Sequence, residues 1–301
     1  MNWRRSKLFA NQSVRDLSWI LSTPDLLNQS THETIPSTSF SRVLYEQYAP
    51  KLTDLAKQPT AIEHFLQQRC KRHRKLGLYF EDLWLYWVTT SGNHSLLAHD
   101  SPVYRNKQTI GAFDLLLQND QNHTEHWELA VKFYLGTNNS ERWDKWIGPG
   151  RRDRLSQKMS RLFDHQIQLS DFPEAKEHFA KQGWSEVVNR RILLKGYFFQ
   201  QWKTSALPSN VSDQAPIGVW IEQSQIRSYI TQFPFTYRFT KRNKPDWLSN
   251  AYLPRKNTED IRDLPGFATT RDLPFLISIL KGTQMVQEVQ RLFVVPDGWF
   301  D

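Results

Sequence analysis

The stretch IGAFDLLLQNDQNHTEHWELAVKFYL, residues 110–135, decides how this chain folds. Ile110 to Gln118 and Trp127 to Leu135 are rich in apolar residues, and the polar segment QNDQNH at 118–123 separates them, so the reading is two strands joined by a turn. Strand alternation sends Glu128, Ala130 and Lys132 to one face and Leu129, Val131 and Phe133 to the other. Asp114 stands among apolar residues on the first of these strands. An acid and an amine four residues apart on one strand face lie about 13 Å apart, too far to pair directly.

Upstream, Ser101 to Arg105 reads as a further strand, turned into the next at Asn106–Lys107. Before it, LGLYFEDLWLYWVTT predicts a helix from about Leu78 to Thr89 that is apolar around most of its circumference and therefore buried. A shorter helix is expected over 61–73, ending in the basic run KRHRK at 71–75, with Gly77 as the break. Downstream, Gly148–Pro149–Gly150 interrupts the chain, and RRDRLSQKMSRLFDHQIQLS from Arg151 reads as an amphipathic helix. Leu155, Met159, Leu162 and Phe163 form its apolar face, and Arg151, Arg154, Lys158 and Arg161 its basic one. RRILLKGYFFQQW at 190–202 predicts a buried strand, so the central order is helix, three strands, helix, strand.

Residues 1 to about 40 read as a polar lead-in with a short helix around Val14–Leu21 and a loop at 31–41. In the last third, strands are expected at Gly218–Ile221 and Arg291–Val295, and helices at Ser224–Gln232 and Leu273–Leu280. The division expected is an N-terminal helical extension (1–60), a core (61–202) and a C-terminal elaboration packed on it (203–301).

With 39% hydrophobic residues and 12 Trp, the 301-residue chain has ample material for a packed core, which argues against global disorder. No run of eighteen apolar residues offers a membrane span, and MNWRRSKLFANQSV carries charge without the apolar stretch of a secretory signal. Cys70 is the single cysteine, which excludes an internal disulfide and a multi-thiolate zinc site; a cytoplasmic protein is the expectation. The formal charge of +8 favours polyanionic partners, nucleic acid first among them. No Walker loop or Rossmann glycine signature is present, so no nucleotide cofactor is expected. His94, His99, His123 and His126 show no paired ligand spacing.

Three acids stand where folding alone would not want them. Glu81 has Leu78, Trp84, Leu85 and Val88 as its helical neighbours, Asp114 lies in GAFDLLL, and Glu128 lies in WELAVKFYL. A carboxylate among apolar groups is costly unless a cation or donors compensate it. Taken singly, each reads as a satisfied structural charge. The order helix acid, strand acid, strand acid plus lysine is less ordinary.

That order resembles the PD-(D/E)XK nuclease superfamily, whose αβββαβ core carries an acid on the first helix, an Asp on the second strand, and an acid and Lys on the third. Glu81, Asp114, Glu128 and Lys132 match those positions, and Gln166 falls where some exonuclease-like members place a glutamine. Over nearly its full length the chain is similar to an uncharacterised bacterial family, domain of unknown function 1853, through LYFEDLW, TIGAFDLLL, WELAVKFYL and RLFVVPDGW. Two departures stand out: Phe113 rather than proline precedes Asp114, and Ala130 replaces the acid two positions before Lys132.

The resemblance implies an α/β fold with a mixed sheet flanked by helices, and a Mg²⁺-dependent nuclease acting on DNA or RNA, with Mn²⁺ as the alternative ion. Asp114, Glu128 and Glu81 would be the metal ligands, Lys132 would orient water or neutralise charge, and Arg151, Arg154, Lys158 and Arg161 would hold backbone phosphates. Trp143 and Trp146, just before the basic helix, are candidates to stack on unpaired bases, with core packing as the alternative. A protein that keeps the fold and binds or scaffolds nucleic acid without turnover is the second reading. A protein-interaction module with purely structural acids is the third.

Overall fold

In a computed structural model, residues 9–72, 75–137, 141–204, 206–269 and 272–300 are described. The first eight residues of the lead-in, and 73 and 74 of the basic run at 71–75, lie outside that set. Four helices come first: α1 (Gln12–Ser22), α2 (Thr38–Lys57), α3 (Thr60–Gln68) and α4 (Leu76–Ser91). Asn11 caps α1 by accepting the Val14 amide at 3.2 Å, and Gly92, in the left-handed region at φ 82°, ends α4. Then come β1 (His94–Arg105), β2 (Gln108–Asn119) and β3 (Thr124–Gly136). The β1–β2 turn is the expected one, with positive φ at both Asn106 and Lys107, as a tight primed hairpin turn needs.

After the short β4 (Trp146–Ile147), α5 (Leu155–Arg161) runs into a single π turn, Leu162–Gln166. It begins four residues later than the sequence suggests, because Arg151 adopts φ 62° in the preceding turn. Then follow α6 (Pro173–Gln182), β5 (Val187–Gln201), β6 (Ile217–Glu222), α7 (Ile226–Ile230), β7 (Arg238–Arg242), β8 (Tyr252–Pro254), β9 (Glu259–Asp260), α8 (Leu264–Ala268), β10 (Phe275–Gly282) and β11 (Met285–Val295).

The eleven strands among the described residues make one mixed sheet, ordered β1-β2-β3-β5-β6-β11-β10-β7-β9, with β4 on β3 and β8 on β11. It runs without interruption through 61–202 and 203–301. Helices flank it on both faces. Trp127, Leu129 and Phe133 of β3 pack with α1, α2, α3 and α4, while Ala130 and Tyr134 pack with Leu155, Met159 and Leu162. The alternation read from WELAVKFYL is therefore the actual division of the core.

Three expectations change. Gly77 does not break the chain but lies inside α4, one residue after its start. Leu273–Leu280 is a strand, not a helix: β10 lies between β11 and β7, with Phe275 to Leu280 buried on both faces. A short, uniformly apolar run has no periodicity to separate buried strand from buried helix, and Ile277 and Ile279 suit the strand. The lead-in is also more than an appendage. Val14 to Leu21 are buried, and the Leu26 amide bonds to the Leu194 carbonyl of β5 at 2.8 Å.

β3 and β5 lie parallel, with Lys132 opposite Gly196. Gly196 has φ 142°, and a Cβ there would fall 1.7 Å from the Lys132 carbonyl oxygen. Only glycine fits this contact. Gly196→Ala is expected to cost at least about 2 kcal/mol in urea unfolding, through backbone strain and displacement of β3; unchanged stability would show that the two backbones are not so close.

Candidate functional site

β2 and β3 pair from Gln118↔Thr124 to Leu115↔Trp127 and no further. Beyond that rung β2 stays with β1 as far as Gln108, and β3 stays with β5 as far as Leu135, so the sheet opens between them. Asp114 sits where the strands part. Its Oδ2 accepts the Leu129 amide at 2.7 Å, taking the place of the missing rung. The adjoining part of β2 lies against the chain after the π turn: a Cβ on Gly111 would meet Leu169 Cδ2 at 2.9 Å.

Glu128 is fully buried beside Asp114. Its Oε1 lies 2.8 Å from His126 Nε2, and its Oε2 accepts the Gln166 side-chain amide at 2.8 Å. Lys158 donates to Gln166 Oε1 at 3.0 Å. The π turn widens the helix where Gln166 must reach the sheet, the kind of place such turns recur.

The electrostatics follow from this crowding. Burial, then the charge of Glu128, pushes Asp114 up to about 8. Burial also raises Glu128, to about 7, against the opposing pull of Lys158. Burial lowers His126 to about 3, so its contact with Glu128 is a hydrogen bond with a neutral ring and not an ion pair. Lys158 is lowered too, first by burial and then by Lys132, although both carboxyls favour its charge. Two acids held near neutrality beside a strained ammonium are what a cation-binding or acid–base site looks like.

The residues singled out from the sequence distribute as follows. Asp114, Glu128 and Gln166 come together. Glu81 does not join them: it is half-buried on α4, which packs over the Trp127 face, whereas Glu128 points to the α5 face. The fully buried acid of α4 is its neighbour Asp82, which accepts from Arg69 at 2.6 Å. Among the described residues, no three His, Cys, Asp or Glu side chains form one group for a metal ion.

Lys132 forms an ion pair with Asp153, so the lysine turned onto the carboxyls is Lys158. Arg151, Arg154 and Arg161 are exposed around it, with Arg151 over the Trp299 ring at 5.7 Å. Trp146 is a core residue, packed edge-on to Phe198 at 5.1 Å. Trp143 donates its indole N–H to the Ser209 carbonyl at 3.0 Å.

His126, Lys158 and Asp153 were missed in these roles, although two left a signal. His126 shares its strand face with Glu128 two residues on, and Lys158 is three residues from Leu155 and four from Leu162, at the border of the apolar stripe. Asp153 left none, since it follows a glycine-rich turn whose path the sequence does not show.

The family described as Domain of unknown function (DUF1853) matches residues 15–295, a span that includes Asp114, Glu128, Lys158 and Gln166. The chain belongs to that family. No curated protein and no solved structure matches it. No helix among the described residues is long and apolar enough to cross a membrane.

In this member of the family, the raised carboxyls carry a pH signature. A neutral form favoured by folding adds stability below the unfolded-state values near 4, and that stability is lost as pH rises through about 7 to 8. Asp114→Asn keeps an acceptor for the Leu129 amide and cannot ionise. Its melting temperature relative to wild type is expected to rise between pH 5 and pH 8, with the variant the more stable at pH 8. A difference that does not vary with pH would mean Asp114 ionises as it does in solvent.

Proposed function

We propose that this chain is a metal-dependent phosphodiesterase of the PD-(D/E)XK type, a nuclease, with Asp114 and Glu128 as its acidic pair. The observation that carries this reading is the parting of β2 from β3 at Asp114, which brings the half-buried Asp114 carboxyl and the buried Glu128 carboxyl together with Lys158 and Gln166. The order α4, β1, β2, β3, α5, β5 is also that of the superfamily core, with β4 and α6 added.

The donor set fits a small hard cation. Mg²⁺ commonly takes one or two protein carboxylates and completes its shell with water and substrate phosphate, so a third acid is not required. Two carboxyls forced towards neutrality by burial are relieved by a divalent charge. Asp114 and Glu128 would hold the ion, which when bound supplies a polarised phosphate and a more acidic water.

The chain's own groups do the rest. Lys158, rather than Lys132, neutralises charge that builds on the phosphoryl oxygens. Gln166 fixes the orientation of Glu128, and neutral His126 holds its other oxygen. Exposed Arg151, Arg154 and Arg161 take backbone phosphates without reading sequence. The occupancy of both Glu128 oxygens favours a second reading, a nucleic-acid-binding protein without turnover.

The test is cleavage of labelled single- and double-stranded DNA and RNA with Mg²⁺ or Mn²⁺. Cleavage is expected, abolished by Asp114→Ala and reduced about 100-fold by Lys158→Ala, with a smaller loss for Lys132→Ala. Metal-independent binding with no cleavage of any substrate would establish the second reading instead. Full activity in the Asp114→Ala protein would remove the site from consideration.

A further inference from the structure

Past the fork, β2 does not end. It stays paired with β1 down to the rung Arg105↔Gln108, and the two strands form a ribbon closed by the turn at Asn106–Lys107. From Asp114 to that turn the ribbon reaches about 20 Å, at the usual rise per residue. It is braced from one side. Val103 and Phe113 pack with Leu169, Ala175 and Phe179, and Arg105 holds Glu174 of α6 through hydrogen bonds of 2.5 and 3.2 Å. Its end is bare, with every residue from Tyr104 to Thr109 exposed. From Ser101 to Phe113 there is no acid, while Arg105 and Lys107 are basic.

Strand pairing also fixes the facing wall. β5 occupies one edge of β3 as far as Leu135, so β4, which pairs at Leu135↔Ile147 and Gly136↔Trp146, lies on the edge that β2 has left. The chain turns back at 148–153, where the Gly148 amide bonds to the Asp153 carbonyl at 2.7 Å and the Asp153 side chain is tied to Lys132. Arg151, Arg152 and Arg154 are exposed on this turn. The opening is therefore bounded, in the plane of the sheet, by the β1–β2 ribbon on one side and an arginine-rich turn on the other. Asp114 sits at its apex.

We propose that the β1–β2 ribbon is an arm that lies in the major groove of double-stranded DNA, with the backbone of that duplex crossing the opening at Asp114. This rests on the nuclease reading of Asp114 and Glu128 for the chemistry, and adds the class of substrate. The major groove of B-form DNA, about 12 Å wide, admits a two-stranded β-ribbon. The deep, narrow major groove of an RNA helix does not, and a single strand has no groove to enter. Asn106, Lys107 and Gln108 at the tip are side chains of the kinds that reach base edges and phosphates. The arginines across the opening neutralise backbone phosphates. At about 3.4 Å per base pair, the tip meets the duplex about six base pairs from the phosphate at Asp114.

The experiment is fluorescence anisotropy in EDTA, over a range of salt, with a labelled DNA duplex of about 25 base pairs, one of its strands alone, and the RNA duplex of the same sequence. The variant Lys107→Gly/Gln108→Thr keeps the hairpin, because Asn-Gly suits the turn and Thr suits a strand. Its melting temperature is expected to match that of wild type; should it fall, Gln108→Thr alone carries the same test. The double variant is expected to bind the DNA duplex at least about fivefold more weakly, with a salt slope lower by about 0.9, while its affinities for the single strand and the RNA duplex stay within about twofold of wild type. Unaltered binding to the DNA duplex overturns the proposal. A matching loss on the single strand or the RNA duplex does so too, since Lys107 would then be a charge indifferent to the groove. Cleavage with Mg²⁺ or Mn²⁺, scored separately, tells the two ideas apart. Ribbon-dependent binding of duplex DNA without cleavage keeps the arm and ends the hydrolase reading. Cleavage that needs Asp114, together with binding that ignores the ribbon, ends the arm alone.

Discussion

Past Leu115 and Trp127, β2 and β3 stop exchanging hydrogen bonds, and the Leu129 amide is left to the Asp114 carboxyl. A buried amide without a partner is costly, so the acid is held at the fork by the backbone itself. β3 cannot shift to close the gap, because its other edge is paired with β5 along its whole length and pressed onto Gly196. The opening is thereby a fixed feature of the sheet, and the chain of α5 and the π turn fills one side of it with Lys158 and Gln166.

Three other buried charges among the described residues are matched, and the contrast is instructive. Lys195 donates to the Thr23 carbonyl, Asp25 and Ser41, which ties the N-terminal segment to β5. Glu288 is buried, yet Arg291 and Arg242 hold it below the usual carboxylate range. Burial would raise Glu125, but His94, the donors Trp127 and Asn119, and the charge of Arg191 hold it down, to about 2. Asp114 and Glu128 have no arginine bonded to them; burial raises both, the charge of Glu128 raises Asp114 further, and hydrogen bonding with Asp114 eases Glu128 back. Their shift runs the opposite way from that of Glu125, three residues along the same strand. Glu125 shows how a buried acid on this strand is compensated by donors and a cation; Asp114 and Glu128 are compensated less.

The placement of the basic groups follows the same logic. Arg151, Arg154 and Arg161 are exposed, Lys158 is half-buried beside the carboxyls, and Lys132 is paired with Asp153. Charge here is thus an acidic point with basic groups on the α5 side of it.

Local pattern alone determined the strand faces of β3, the hairpin turn at Asn106–Lys107, the helix α4 and the order of the central elements. Alternation and turn chemistry are properties of neighbouring residues, so they are legible without a fold. Asp114, Glu128 and Gln166 were also visible, as acids among apolar residues and through a family likeness. What the sequence could not decide was which acids meet. Glu81 looked as unfavourable as Asp114, but α4 covers the opposite face of the sheet, and layer assignment depends on contacts between distant segments. Nor could the sequence choose between Lys132 and Lys158, since Asp153 reaches Lys132 only once the turn at 148–153 is folded. The strand at Phe275–Gly282 was misread for a related reason: a fully apolar run takes its form from the neighbours it is packed between, and those neighbours, β7 and β11, are supplied by tertiary structure.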